Sequence, residues 1–174
     1  MKRLSPEICR ILAIDPTTCG FGFVVLEGQM SLVDWGVKRA KRDKNAKCLA
    51  KVLDLIRQYQ PTVIVFEDCS GRESRRHERI KEFLEEVKNL ATNNKIKTRK
   101  VSRHTLKKTF ASERASSRYE IATVIAKRLP DLAPLLPPRR QPWMSEDARM
   151  HIFNAAAMVL ALISPATASQ QMAN

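Results

Sequence analysis

Two short runs of unbroken apolar side chains, each closed by an acid, constrain this chain more than any other feature. Ile11, Leu12, Ala13 and Ile14 run into Asp15, and Val63, Ile64, Val65 and Phe66 run into Glu67. A run that is apolar at every position has no wet face, so each is predicted to be a central strand covered on both sides. Between them Leu49, Val52, Leu53 and Ile56 recur at i, i+3, i+4 and i+7, the stripe of an amphipathic helix. A helix joining two buried strands implies a crossover and parallel pairing. The two acids then end neighbouring strands, about 5 Å apart if they share a level.

The remaining segments fill in a sheet around that pair. Residues 21–26 and 31–37 read as strands that complete an antiparallel meander, with a turn at Glu27, Gly28 and Gln29. Residues 76–90 place Ile80, Phe83, Leu84, Val87 and Leu90 on one helical face, stopped by Asn93 and Asn94. Residues 96–101 read as a basic edge strand, and residues 118–129 as a helix with Ile121, Val124 and Ile125 inside. Prolines at 130, 134, 137, 138 and 142 argue against regular structure there. Ser145 is placed to cap a last, apolar helix running to Ile163. The order is βββαβαβαα, an α/β fold with a five-stranded mixed sheet flanked by helices. With 174 residues, 44% of them hydrophobic, the chain supports one core, so residues 1–163 are read as one domain and 164–174 as a loose tail.

Charge narrows the partner. Lys and Arg number 31 against 18 Asp and Glu, a formal +13, which suits a polyanion and nucleic acid first. No stretch joins a basic face to a broad aromatic or leucine face, and none is long enough to span a bilayer, so no membrane role is read. Cys9, Cys19, Cys48 and Cys69 show no C-x-x-C pairing, which argues against a zinc knuckle or disulfide framework and for reduced thiols in a cytoplasmic protein. The apolar run after Lys2 and Arg3 stops at Asp15 without a cleavage site.

Two ionised carboxylates held so close repel, and one must take up a proton unless a cation lies between them. A divalent metal removes the conflict with oxygen ligands at about 2.0–2.1 Å. On the last helix Asp147, His151 and Asn154 are spaced i, i+4, i+7, which puts them within roughly 60° of arc. That helix is otherwise apolar almost all round, and a narrow polar stripe on a buried helix needs partners. Each residue alone also fits a plainer role, a solvated strand end or a helix cap; all five together favour a metal site.

The blocks Ile11 to Asp15 with Thr18, Cys19, Gly20, Phe21 and Gly22, then Val63 to Glu67, then Ser145 through Asn154 to Ala157, resemble the RuvC-type Holliday-junction resolvases of the ribonuclease-H-like superfamily. The resemblance implies a homodimeric nuclease that resolves four-way DNA junctions by paired nicks leaving 5′-phosphates, in recombination and repair. It implies two Mg²⁺ or Mn²⁺ ions per site, with Asp15 bridging them, Glu67 on the leaving-group ion and the 151/154 helix face on the water-activating ion. His151 stands at one helix position of the pattern. Asn154 stands where the pattern has Asp, and an amide oxygen is a weaker ligand for a hard cation than a carboxylate. A weakened or inactivated site is therefore expected unless Asp147 or Glu146 compensates.

Basic residues cluster at 38–47, 72–79 and 95–108, the first of which reads as solvated surface. Arg72, Arg75, Arg76, Arg79, Arg103, Lys107 and Lys108 are the expected phosphate contacts. The loop after Glu67 lacks the aromatic that the resemblance leads one to expect, which leaves guanidinium contacts to serve. The helix over 76–90, Phe83 included, is a dimer-contact candidate, with packing on the sheet as the competing reading. Two other functions stay open: a YqgF-type RNA-processing nuclease and a non-catalytic junction-binding module. An actin-like sugar kinase needs two domains, for which the chain is too short.

Overall fold

The computed structural model describes residues 9–28, 30–70 and 78–164. Its sheet has five strands in the order β3-β2-β1-β4-β5: β1 Arg10–Thr17, β2 Gly20–Glu27, β3 Ser31–Arg39, β4 Val63–Glu67 and β5 Lys97–Val101. β1 to β3 form the antiparallel meander, while β4 runs parallel to β1 and β5 parallel to β4. The two all-apolar runs are thus adjacent central strands, as their lack of a wet face requires.

Alternation along each strand divides the core in two. Leu12, Ile14, Phe21, Phe23, Val25, Ile64 and Phe66 pack beneath α1 (Lys44–Tyr59) and α2 (Glu78–Asn93). Ile11, Ala13, Val24, Leu26 and Val65 face the opposite way, under α4 (Arg118–Arg128) and α5 (Met150–Ile163). α1 begins on left-handed Asp43 and stops at left-handed Gln60, just before Pro61. α2 buries Ile80, Phe83, Leu84, Val87 and Ala91, and the Phe83 ring stacks on Phe21 with centroids 6.0 Å apart. The face read as a dimer-contact candidate is therefore used inside the chain, because among the described residues it shares with α1 the covering of that side of β1, β2 and β4.

Three departures from the sequence reading affect the site. A helix that the sequence pattern left unread, α3 (Arg103–Phe110), follows β5; Ser102 caps it by accepting from the Thr105 N–H, and Phe110 is its one buried residue. The expected irregular segment opens with a 3₁₀ turn, Pro130–Leu135, because a proline at the first helical position lacks only an N–H that would have no partner anyway. α5 starts at Met150, so Ser145 is not its cap. The chain instead enters through a tight turn in which Met150, His151 and Ile152 donate to the carbonyls of Asp147, Ala148 and Arg149 at 3.0–3.2 Å. The tail read beyond Ser164 lies outside the described residues.

Candidate active site: an acid floor under a cationic rim

β1 pairs with β4 as far as Ile14 and Phe66, but stays paired with β2 through Thr17. Asp15 and Glu67 follow those last paired residues, at the carboxyl ends of adjacent parallel strands. Asp15 is 2% and Glu67 7% exposed. Burial to that degree strips water from an ionised carboxylate and requires compensating partners.

α5 supplies them to Asp15. His151 Nδ1 lies 2.6 Å from Asp15 Oδ2, and Asn154 Nδ2 donates to the same oxygen at 3.0 Å. An ionised carboxylate only accepts, which puts the imidazole proton on Nδ1. The approach is possible because Asp15 is registered opposite Gly22, over which His151 lies. A Cβ at Gly22 would come within 2.5 Å of the His151 carbonyl carbon and 2.6 Å of its Cβ. Ala155, Ala156 and Ala157, all buried, keep the following turn equally close to the sheet.

Glu67 has a partner of another kind. Arg103, at the start of α3, donates from Nε to Glu67 Oε1 at 2.8 Å while its own side chain stays 62% exposed. An ion pair with one half in water is weakly held, and can be exchanged for another partner at small cost. Asp15, Glu67 and Asn154 form the floor of a cleft whose rim carries Arg103 and Lys107 from α3 and Arg118 from α4. Acids below and guanidinium and ammonium groups above give the cleft both signs of charge: the rim can donate to an anion, and the floor offers carboxylate oxygens.

No protein-family model matches the sequence, and a search of curated proteins found no match. Solved structures do match. Thermus thermophilus RuvC superposes with a TM-score of 0.65 at 16% identity, covering 94% of this chain and 96% of that one. The same protein in complex with a Holliday junction substrate gives 0.63 at 15%, with 94% and 96% covered. The yeast mitochondrial Holliday junction resolvase gives 0.58 at 15%, with 92% and 79% covered. This is a RuvC-type, ribonuclease-H-like fold.

Within the RuvC-type fold the expected site residues sort clearly. Asp15, Glu67, His151 and Asn154 converge, with His151 8% exposed and joined to the cleft through Asp15. Asp147 does not join them. It precedes α5, where its carboxylate accepts from the Arg149 backbone N–H at 2.9 Å and from the Arg149 guanidinium at 2.7 and 3.0 Å. Those bonds hold the Asp147 carboxyl below the usual carboxylate range. Four-residue spacing could place Asp147 on the His151 face only if the helix had begun before it, and α5 begins at Met150. Glu146 is likewise engaged, with both oxygens 2.9 Å from the Arg118 guanidinium. Neither acid lines the cleft that holds Asn154.

Of the expected phosphate contacts, Arg103 and Lys107 line the cleft, and Lys108 is exposed on α3 outside its lining. Arg79 is a correction. Its guanidinium donates to Asn45 Oδ1 at 2.8 Å and to the carbonyls of Thr17 and Thr18 at 3.1 and 2.9 Å. It ties the turn after Asp15 to the starts of α1 and α2 because that turn has carbonyls without strand partners. Arg72, Arg75 and Arg76 lie outside the described residues. Sequence reasoning missed Arg118; the Ser116, Ser117 pair before it was the available signal, since a capped helix start fixes the direction of its first side chains.

Proposed function

We propose that this chain binds branched DNA, four-way junctions above all, and nicks it with the help of a divalent metal, at a rate held low by Asn154. The observation that carries this reading is the pair of buried carboxylates at adjacent strand ends, floored by Asn154 and rimmed by Arg103, Lys107 and Arg118. The Holliday junction substrate bound to the Thermus neighbour supports the choice of DNA.

Among the described residues no three His, Cys, Asp or Glu side chains are grouped to hold a metal ion. The oxygen donors at hand are Asp15, Glu67 and the Asn154 amide. Asp15 and Glu67 would supply the anionic oxygens to hold a hard divalent cation, and Asn154 in place of an acid would leave less charge to hold the second of the two ions expected. Such a cation, when bound, neutralises charge at the phosphodiester and makes a nearby water more acidic. Lys107 and Arg118 hold the phosphate against the floor. Arg103, whose side chain is largely in solvent, can exchange Glu67 for a phosphate oxygen, and Glu67 would then be able to turn to a bound cation. His151 fixes the Asp15 carboxylate in place. The product is a nick with a 5′-phosphate, and two copies acting on a two-fold-symmetric junction make the paired cuts that resolve it.

A second reading, a module that binds junctions without cutting, is favoured by one feature: protein donors already occupy Asp15 Oδ2 and Glu67 Oε1. One experiment separates the readings. Four-way DNA, duplex DNA and structured RNA are offered to the chain and to Asn154→Asp, each with Mg²⁺ or Mn²⁺. We expect both proteins to prefer the junction and Asn154→Asp to cut it roughly 10- to 100-fold faster, the range produced by changes around a metal's ligands. Tight binding with no metal-dependent cutting by either protein means a binding module, and preferential cutting of RNA defeats the junction assignment.

A further inference from the structure

Residues 138–146, between the 3₁₀ turn and α5, are nine consecutive exposed positions. Trp143 stands at their tip, 81% exposed, beside Met144 at 43%. The indole is held out by a braced turn. Met144 N–H donates to the Gln141 carbonyl at 3.0 Å, Pro142 fixes the second position of that turn, and Arg140 Nε donates to the Met144 carbonyl. A large apolar ring presented to water on a stiffened turn contributes nothing to this fold, since its transfer free energy goes unused.

The surroundings indicate what covers it. A groove whose lining includes Arg118, Tyr119, Arg140, Met144, Glu146 and Asp147 lies along this loop, and it shares Arg118 with the acid-floored cleft. Glu146 grips Arg118 from the loop side, so the groove and the cleft meet at one fixed guanidinium. The loop and its border carry the guanidinium groups of Arg118, Arg139, Arg140 and Arg149 against the carboxylates of Glu146 and Asp147 alone. An exposed indole next to a groove that carries Arg118 and Arg140 and meets the acid-floored cleft at Arg118 matches a nucleotide, with the base on the ring and the phosphate on a guanidinium.

We propose that Trp143 is a stacking platform for an unpaired base of the DNA strand that leaves the cleft past Arg118. The inference rests on the junction-binding reading above and adds a specificity-determining residue to it.

The test uses the full chain and its two tryptophans, Trp35 and Trp143. Wild type, Trp143→Phe and Trp143→Ala are titrated with a four-way DNA junction, following tryptophan emission and, separately, anisotropy of labelled DNA. We expect wild-type emission to be quenched on binding and the quench to vanish in Trp143→Phe. Junction affinity should fall roughly tenfold in Trp143→Ala, the loss of one base–aromatic stack, while Trp143→Phe keeps most of it. An exposed position leaves the unfolding midpoint unchanged, so lost affinity is not lost fold. Equal affinity in all three proteins, without a quench, overturns the platform and leaves junction binding standing. Failure of wild type to bind the junction overturns both. Emission that shifts with protein concentration in the absence of DNA assigns the ring to a second copy of the chain and overturns the platform too.

Discussion

A methyl group at position 22 would have to occupy space already filled by the His151 backbone, at 2.5 Å from its carbonyl carbon. Neither partner can yield cheaply, since one is a strand paired on both sides and the other a buried helix. Gly22→Ala should therefore push α5 off the sheet, pulling His151 and Asn154 away from Asp15. We expect a stability loss of roughly 2–3 kcal/mol in urea unfolding, the upper range for overpacking, and junction cleavage reduced further than stability alone explains. A variant as stable and as active as wild type would mean that the contact is not what sets the helix height. Gly22 was visible in the sequence as part of a motif, but its reason was not, because the atoms it makes room for lie over a hundred positions away.

The helices were legible in proportion to how much apolar surface each displays. α2 announces itself by a stripe of large side chains; α4 was found from its pattern too, but it buries Ala122, Ile125 and Ala126 and leaves Ile121 and Val124, which were read as inside, half-buried, while α3 buries only Phe110 and rests on a Ser102 cap. α4 adds a full capping box: Ser117 accepts from the Glu120 N–H, and Glu120 accepts in turn from the backbone N–H groups of Ser116 and Ser117 at 2.9 Å. Those bonds lower the Glu120 carboxyl from its ordinary 4.5 to about 2. A depressed folded-state value contributes stability that is complete above the unfolded value and is lost as pH falls through the folded one. Hence the stability difference between wild type and Glu120→Gln, measured by urea unfolding, should be greatest at neutral pH and shrink between pH 4.5 and 2. A difference that stays constant over that interval would mean that the carboxylate's charge plays no part in the cap.

For the molecule as a whole, the sheet divides the labour. One face is closed by α1 and α2; the other carries α5 and the candidate site, beside the cations of α3 and α4. No helix among the described residues is long and apolar enough to cross a membrane. The excess of basic residues then predicts a steep salt dependence of junction binding, with affinity falling log-linearly as salt rises. Lys107→Ala should reduce the slope by about 1, as one lost phosphate contact does, whereas Lys108→Ala should change it less. Equal effects at the two positions would show that the cleft rim is not where the strand lies.

What the amino-acid sequence determined by itself was the five strands, the helices with a broad apolar face and the two strand-end acids, since periodicity and unbroken apolar runs report directly on burial; α3, which buries only Phe110, left no such trace. It also carried the resemblance that named the fold. Only the tertiary structure decided which polar groups meet: that α5 begins at Met150 and leaves Asp147 to Arg149, that Arg79 braces a turn, that Arg103 rests on Glu67, and that Arg118 joins two grooves. Such pairings depend on where a helix starts and how near it lies to the sheet. Both are fixed by long-range packing, over Gly22 above all, and local residue patterns carry no record of it.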